Sequence, residues 1–552
     1  MKIAVSAFKG QNNAYAPRLI NNEQAQKATN CIVRNGNLTP LKGNVNVSPA
    51  PTIANNAKTI FLYQGTHWFS WPLDVDVVDS PIAEDEYDRA YYTGDGVPKY
   101  TNSSIATGTG VQPFANNTIG LDSPDAFNAT VSYYDQSADL AAGESASDYE
   151  TETESGFINM ETDDDETRFY VCTYVTDFGE ESAPSNISGE LTIFHENDSV
   201  TLTFSDTGGF GTQKISLRRI YRTATSGDIT ELFLVDEIPV NTSEYIDTKS
   251  VYELGAELAT EEYTKPPENL TGLIATSNGV VIGFVGNTVV PSEPYLPYAY
   301  PLGYRQTLQD TVVAMAEMSA GVVIATDNKP VIMQGTLPDS FTMQVIDAAL
   351  PCTSKRSMVD MGEAAIYASH DGLVSISQSG AQLITIDLID KEYWQSFDPS
   401  TVEAYRYHDY YVGFYGESAG FVFDLRRGDF FELDFYASAG YFDPVSGSLY
   451  LIVDDVLTKF DEGTALNYEW ASKQFDINRT TLSCMKVFAE NLSNTTVNIY
   501  ADGATIMSAP LTGPDPVFRL PAFRGARLHF DVVGSDEIET IALASSPGEL
   551  NG

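Results

Sequence analysis

Basic residues are scarce in this chain of 552: 31 Lys and Arg stand against 76 Asp and Glu, a formal net charge of −45. Affinity for nucleic-acid phosphates needs cationic side chains that displace counterions, so this balance excludes a strong nucleic-acid binder. It favours solubility and repels DNA, which matters wherever DNA must pass without sticking; adaptation to salt would produce the same balance. Cysteine is rarer still. Cys31, Cys172, Cys352 and Cys484 lie far apart, with neither CxxC nor metal-ligand spacing. They read as buried apolar fillers made in a reducing cytoplasm. Long hydrophobic runs are missing: none approaches the roughly 18 apolar residues of a membrane helix. The stretch from Met1 to Phe8 turns polar too soon for a signal peptide. Helical periodicity is nearly absent, with one candidate short helix from Asn22 to Asn30.

What remains is short apolar segments that alternate with polar residues and stop at Gly, Asn, Asp or Pro, the pattern of an all-β protein. A weak internal repeat runs from about residue 270 to 462. Its members begin LTGLIATSNGVVIGF, VVAMAEMSAGVVIAT, MVDMGEAAIYASHDG, VEAYRYHDYYVGFYG and SAGYFDPVSGSLYLI. Each gives strand, polar turn, stronger apolar strand, turn and third strand, at the spacing of four-stranded propeller blades. One blade cannot cover both of its faces, so neighbours must stack around an axis. The segment from Thr59 to Asp74 has the same rhythm, which predicts a β-propeller of roughly six blades.

The expected layout assigns 1–58 to an N-terminal docking arm and 59–100 to a first propeller segment. Residues 101–166 form a polar, acidic loop insertion, richest in charge from Glu144 to Glu166. Residues 167–262 read as a fibronectin-III-like β-sandwich inserted into the propeller, because six or seven short alternating strands follow one another there. Residues 263–474 supply the remaining blades and 475–552 a C-terminal β domain.

Several stretches resemble the tail nozzle and tail-hub structural proteins of short-tailed bacteriophages. They are FKGQNNAYAPRLINNEQAQKATNCIVRNGNLTPLKG from Phe8, DVDVVDSPIAEDEYDRAYYTGDGVPKYT from Asp74, and YVTDFGEESAPS from Tyr174. RRIYRTATSGDITELFLVDEIP, PPENLTGLIATSNG, SEPYLPYAYPLGYR from Ser292, VFRLPAFRGARLHFDVVG and IALASSPGEL complete the set. Together they cover most of the chain in order; the acidic segment before Thr167 has no place in the pattern. The resemblance implies a ring, typically six-fold, below the portal and its adaptor, continuing the channel through which the genome leaves. Implied partners are further copies of the chain, the portal adaptor, tail fibres or a plug, and genomic DNA passing without specific binding. The implied location is the virion tail, after synthesis in the host cytoplasm.

A search for chemistry assigns no catalytic, cofactor-binding or metal-binding residue, and the expectation is a protein that is not an enzyme. His67, His195, His370, His408 and His529 fall on separate segments without a ligand spacing. No GxSxG elbow occurs in a strand–helix context. Paired carboxylates keep a propeller glycosidase open as a class. The turn Ser369-His370-Asp371-Gly372 weakly resembles a sialidase Asp-box, but it does not repeat; it reads as a tight turn in which Asp371 binds backbone amides. The acidic runs Glu84-Asp85-Glu86 and Asp163 to Glu166 lack the ligand alternation of a calcium loop and read as solvated faces. Tyr295, Tyr298, Tyr300 and Tyr304, interleaved with prolines, fit either a carbohydrate platform or, in preference, a packed junction. Trp68, Trp71, Trp394 and Trp470 read as blade anchors, and Arg218-Arg219 and Arg426-Arg427 as isolated basic pairs. A receptor- or glycan-binding tail protein is the alternative function.

Overall fold

The computed structural model describes residues 1–134, 152–153, 156–157, 166–195, 197–205, 208, 210–211, 213–224, 231–478 and 482–550. The acidic stretch from Glu144 to Glu166 lies outside them, save for Glu166 and the backbone of one short strand pair. Much of the sequence alternation becomes β-strand; among the described residues the one α-helix is the five-residue Lys391–Gln395.

Six small antiparallel sheets and the first four strands of a ten-stranded sheet follow one another around a common axis. In chain order their first strands are Thr59–Tyr63, Asp76–Asp79, Thr271–Ala275, Val312–Met318, Val359–Asp360, Glu403–Tyr407 and Ala439–Asp443. Every one of these strands contributes to the wall of a single central cavity. Between neighbouring sheets sits an apolar cluster, for example Val289, Ile324 and Phe341 between the third and fourth, and Ala57, Trp68 and Tyr450 between the seventh and first. That is a closed propeller, and each of these seven is a blade. Second strands such as Val281–Val285 and Gly321–Thr326 are buried at nearly every position because both faces meet a neighbouring blade.

The count of roughly six blades becomes seven. The blade overlooked in the sequence runs from Asp76–Asp79 to Asn117–Thr118, and its last two strands are three and two residues long. Strands so short carry too little alternation to register. The first blade has two strands, with the outer edge of His67–Trp71 touched by Gln112.

The N-terminal segment is a structural strap where a docking arm was expected. Lys2–Val5 pairs with Thr540–Ala544, and Ala25–Thr29 pairs with Tyr468–Ser472 and touches Asp429–Leu433. Val45–Asn46 becomes the outermost strand of the seventh blade, beside Val456–Lys459. The stretch from Asn22 to Asn30 is thus strand where a helix was expected. Ala25 and Ala28 are small enough to lie buried against the neighbouring strands, and that tertiary pairing overrides a helix-compatible composition.

The C-terminal domain begins at Tyr468, not at 475, and two sheets build it. One has the order Lys2–Val5, Thr540–Ala544, Cys484–Phe488, Val517–Arg519; the other runs through Tyr468–Ser472 and Arg527–Gly534 to Leu492–Ala501 and Ala504–Gly513. Trp470 is buried in the core of this domain rather than between blades. Its indole Nε1 donates to the Lys9 carbonyl at 3.0 Å and its ring meets Phe8 edge-on at 5.0 Å.

The inserted domain starts earlier than 167. Asn128–Ser132, inside the stretch expected to be loop, is the edge strand of a three-stranded sheet with Ser199–Thr203 and Glu244–Asp247. That sheet faces Tyr170–Thr176, Ile215–Thr223 and Leu232–Pro239 across a core of Cys172, Val200, Leu202 and Ile220.

Because Trp470 joins the strap to the C-terminal core, Trp470→Ala should destabilise the protein by about 3–5 kcal/mol. Guanidinium denaturation reads this directly, and a loss below about 1 kcal/mol would mean that the strap is not part of the core.

Candidate functional site

The central cavity holds about 360 Å³ and gathers charge from opposite sides of the ring. The short turn Lys355–Ser357 leads into the fifth blade yet reaches the first and second. Lys355 Nζ lies 2.6 Å from Asp76 Oδ2 and 3.4 Å from Asp74. Arg356 Nη2 donates to Thr59 Oγ1 at 2.6 Å and to the Val75 carbonyl at 3.0 Å, and pairs with Asp74. The other duty of Asp76 is to accept the Gly272 N–H at 2.9 Å. That glycine has φ +68, and a Cβ there would strike the Phe284 ring on the neighbouring strand of the same blade, so the position requires glycine.

Glu403, on the innermost strand of the sixth blade, completes the group. Burial pushes its carboxyl up to about 7, against the opposing pull of Arg356. The arrangement is a brace: each cation neutralises a carboxylate on another blade. Among the described residues, no three of His, Cys, Asp or Glu converge as metal ligands.

A second charged junction ties the inserted sandwich to the second blade. Arg89 is held by Asp85 through Nε at 2.8 Å and Nη2 at 3.1 Å, and its Nη1 reaches Glu180 of the sandwich at 2.7 Å. Phe178, two residues before Glu180, packs edge-on against Tyr87 at 4.6 Å and Tyr100 at 6.1 Å. Burial is the main reason that Glu180 is pushed up to about 7; Arg89 pulls the other way.

The residues singled out in the sequence do not meet at one place. The histidines stay on separate elements, with His529 stacked on Tyr500 and His408 in a turn at φ +54. All four cysteines are buried and unbridged. Tyr298 and Tyr300 are buried, Tyr304 donates to Glu293 at 2.9 Å, and Tyr295 is half exposed, so the proline-rich patch is mainly a packed junction. In the turn at 369–372 the Ser369 hydroxyl accepts the Asp371 amide, while Asp371 itself pairs with Lys391. Asp85 of the acidic run serves Arg89, and Glu166 serves Arg168. The arginine pairs are also tied to neighbours: Arg218 lies 3.9 Å over the Phe204 ring, Arg219 binds Glu181 and Glu237, and Arg426 binds Asp409. The sequence reading passed over Lys355, Arg356 and Arg89. Their signal was available, since a Lys-Arg pair, and an arginine four residues after an aspartate, stand out in a chain so poor in cations.

The two raised carboxyls set a pH dependence. Folded Glu180 and Glu403 hold protons up to about pH 7, whereas unfolded glutamates release them near pH 4.5. Their contribution to stability is therefore fully present below about pH 4.5 and is lost as pH rises through 7. The unfolding free energy from urea titrations should fall between about pH 5 and pH 8 by on the order of 1–3 kcal/mol, and the double variant E180Q/E403Q should flatten that slope. A wild-type stability that holds level or climbs across this window contradicts the assignment.

No family model matches the chain, and no curated protein matches it. Among solved structures, the chain is similar to RRP9 WD40 repeats (9% identity, TM-score 0.29, covering 75% of this chain and 98% of that one). It is also similar to U3-55K (9%, 0.29, 73% and 98%) and to BamB from Moraxella catarrhalis (11%, 0.25, 52% and 81%). These superpositions are too loose to carry an argument, and the propeller rests on the chain's own sheet order and central cavity.

Proposed function

We propose that the chain is a structural component of the short tail of a bacteriophage virion, of the nozzle or hub type, and that it is not an enzyme. The observation that carries this reading is where the family-like phrases fall. Phe8 to Gly43 lies in the strap, where Ala25–Thr29 joins the sixth blade to the C-terminal sandwich. The stretch from Tyr174 and the stretch from Ser292 meet at the sandwich–propeller junction, where the Tyr298 hydroxyl accepts the Glu181 amide at 3.3 Å. That three of these phrases fall on joints between parts of the chain supports a load-carrying role.

Copies of the chain would form a ring, typically six-fold, beneath the portal adaptor, with fibres or a plug as further partners. The braced axis of one subunit is too small for a duplex, so genomic DNA would pass between copies, past acidic surface that does not hold it. The inserted domain, fibronectin-III-like in its layering, would project from this wall.

Gold-tagged antibodies against the chain, imaged on virions of its source, test the reading. Label confined to the short tail is the expected result. Label on peripheral fibres would favour the receptor- or glycan-binding alternative, and unlabelled virions would overturn both.

A further inference from the structure

The C-terminal sandwich has one open side. Ala504–Gly513 is the last strand of its larger sheet, and Val517–Arg519 is the last strand of the smaller one. A turn of three residues joins them, so both edges end on the same side. The outer strands of the blades are only two to five residues long, whereas Ala504–Gly513 has ten. A long edge strand is a template for pairing with another chain, and proteins normally blunt such edges with charge. This one, ATIMSAPLTG, carries no charged side chain in a protein of net charge −45. Ala504, Thr505, Ser508, Pro510 and Thr512 are exposed along it.

The flanking charge is of the minority sign. From Ala504 to Arg527 there are three arginines, Arg519, Arg524 and Arg527, against the single acid Asp515. Arg527 pairs with Asp476 at 3.3 Å. Arg519 and Arg524 are exposed and have no acidic partner among the described residues. Two copies of a polyanion repel one another over most of their surface. A neutral edge flanked by free arginines is where one copy can accept the acidic surface of another.

We infer that this open side, the Ala504–Gly513 edge with Arg519 and Arg524, is the surface through which one copy of the chain pairs with the acidic surface of the next. A patch that meets a different patch builds head-to-tail, and such contacts close into rings. The inference rests on the ring in the proposed function, but it assigns the contact to named residues and makes it sufficient for self-association in solution. Pro510 marks the free direction. It has no N–H to donate, so its position is one where the amide points away from Leu492–Ala501. Ser508, two residues earlier in the same uninterrupted register, presents its N–H outward as well.

The test uses the full purified chain. Native mass spectrometry and light scattering over a range of concentrations should find oligomers that dissociate as salt is raised. The charge reversal R519E/R524E and the edge block Ser508→Pro should each weaken association at least about tenfold while leaving the melting temperature unchanged. Oligomers indifferent to salt and to both variants would overturn the assigned surface and leave the ring standing. A wild-type chain that stays monomeric throughout would overturn the inference, while the virion label still decides the tail reading. If a variant misfolds, the salt titration of the wild type remains decisive, because a contact built on arginines must weaken with screening.

Discussion

The whole molecule depends on a pairing between its two ends, Val45–Asn46 against Val456–Lys459. A ring of blades covers every apolar face only if the last blade is tied to the first, and a strand of two residues is a weak tie. Closing a loop of about 400 residues costs on the order of 5 kcal/mol plus a constant, which such a strand does not offset alone. The offset comes from what precedes it. The same N-terminal segment is woven into the C-terminal sandwich by Lys2–Val5 and Ala25–Thr29 and is locked beneath Trp470. Propeller and C-terminal domain therefore share a single strap, and a sheet of ten strands runs from the sixth blade into the sandwich.

Charge is distributed to the same end. With acids outnumbering bases more than two to one, a compact state repels itself, and the few cations are placed where they neutralise most. Lys355 and Arg356 tie the fifth blade to the first two across the axis, and Arg89 ties the inserted sandwich to the second blade. The cost of burying the carboxylates appears in Glu180 and Glu403, whose protons are held to near neutrality. Ionisation of these groups and the self-repulsion of the surface act in the same direction, so joints and surface loosen together as pH rises.

Much of the architecture was legible in the sequence. The five repeats between about 270 and 462 became the third to seventh blades, because their second strands are continuous apolar runs bounded by turns. The second blade was missed because Lys99–Thr101 and Asn117–Thr118 are too short to alternate. The N-terminal strap was misjudged for a different reason. Ala25 and Ala28 are core residues, but their partners Ser472 and Trp470 lie more than 400 positions away, and local pattern carries no information about such pairing. The site was less legible than the fold. Its cations are single residues whose meaning depends on a carboxylate brought from another blade.

The management of sheet edges separates the parts of the molecule by what they can do. Stacking of the blades covers their faces and leaves only short outer edges, Gln112 partly covers the two-stranded first blade, and the seventh is completed by the strap. The axis is braced by ion pairs across the ring. A body sealed in this way has little to offer a partner except its acidic exterior. The C-terminal sandwich is built differently: the strap fills it from one side, and its other side ends in two open strands beside the exposed Arg519 and Arg524. Capacity for association is thus concentrated at the domain that also anchors closure of the ring. Any load applied through that contact would pass along Ala25–Thr29 and its neighbours directly into the sixth and seventh blades, without crossing a flexible linker.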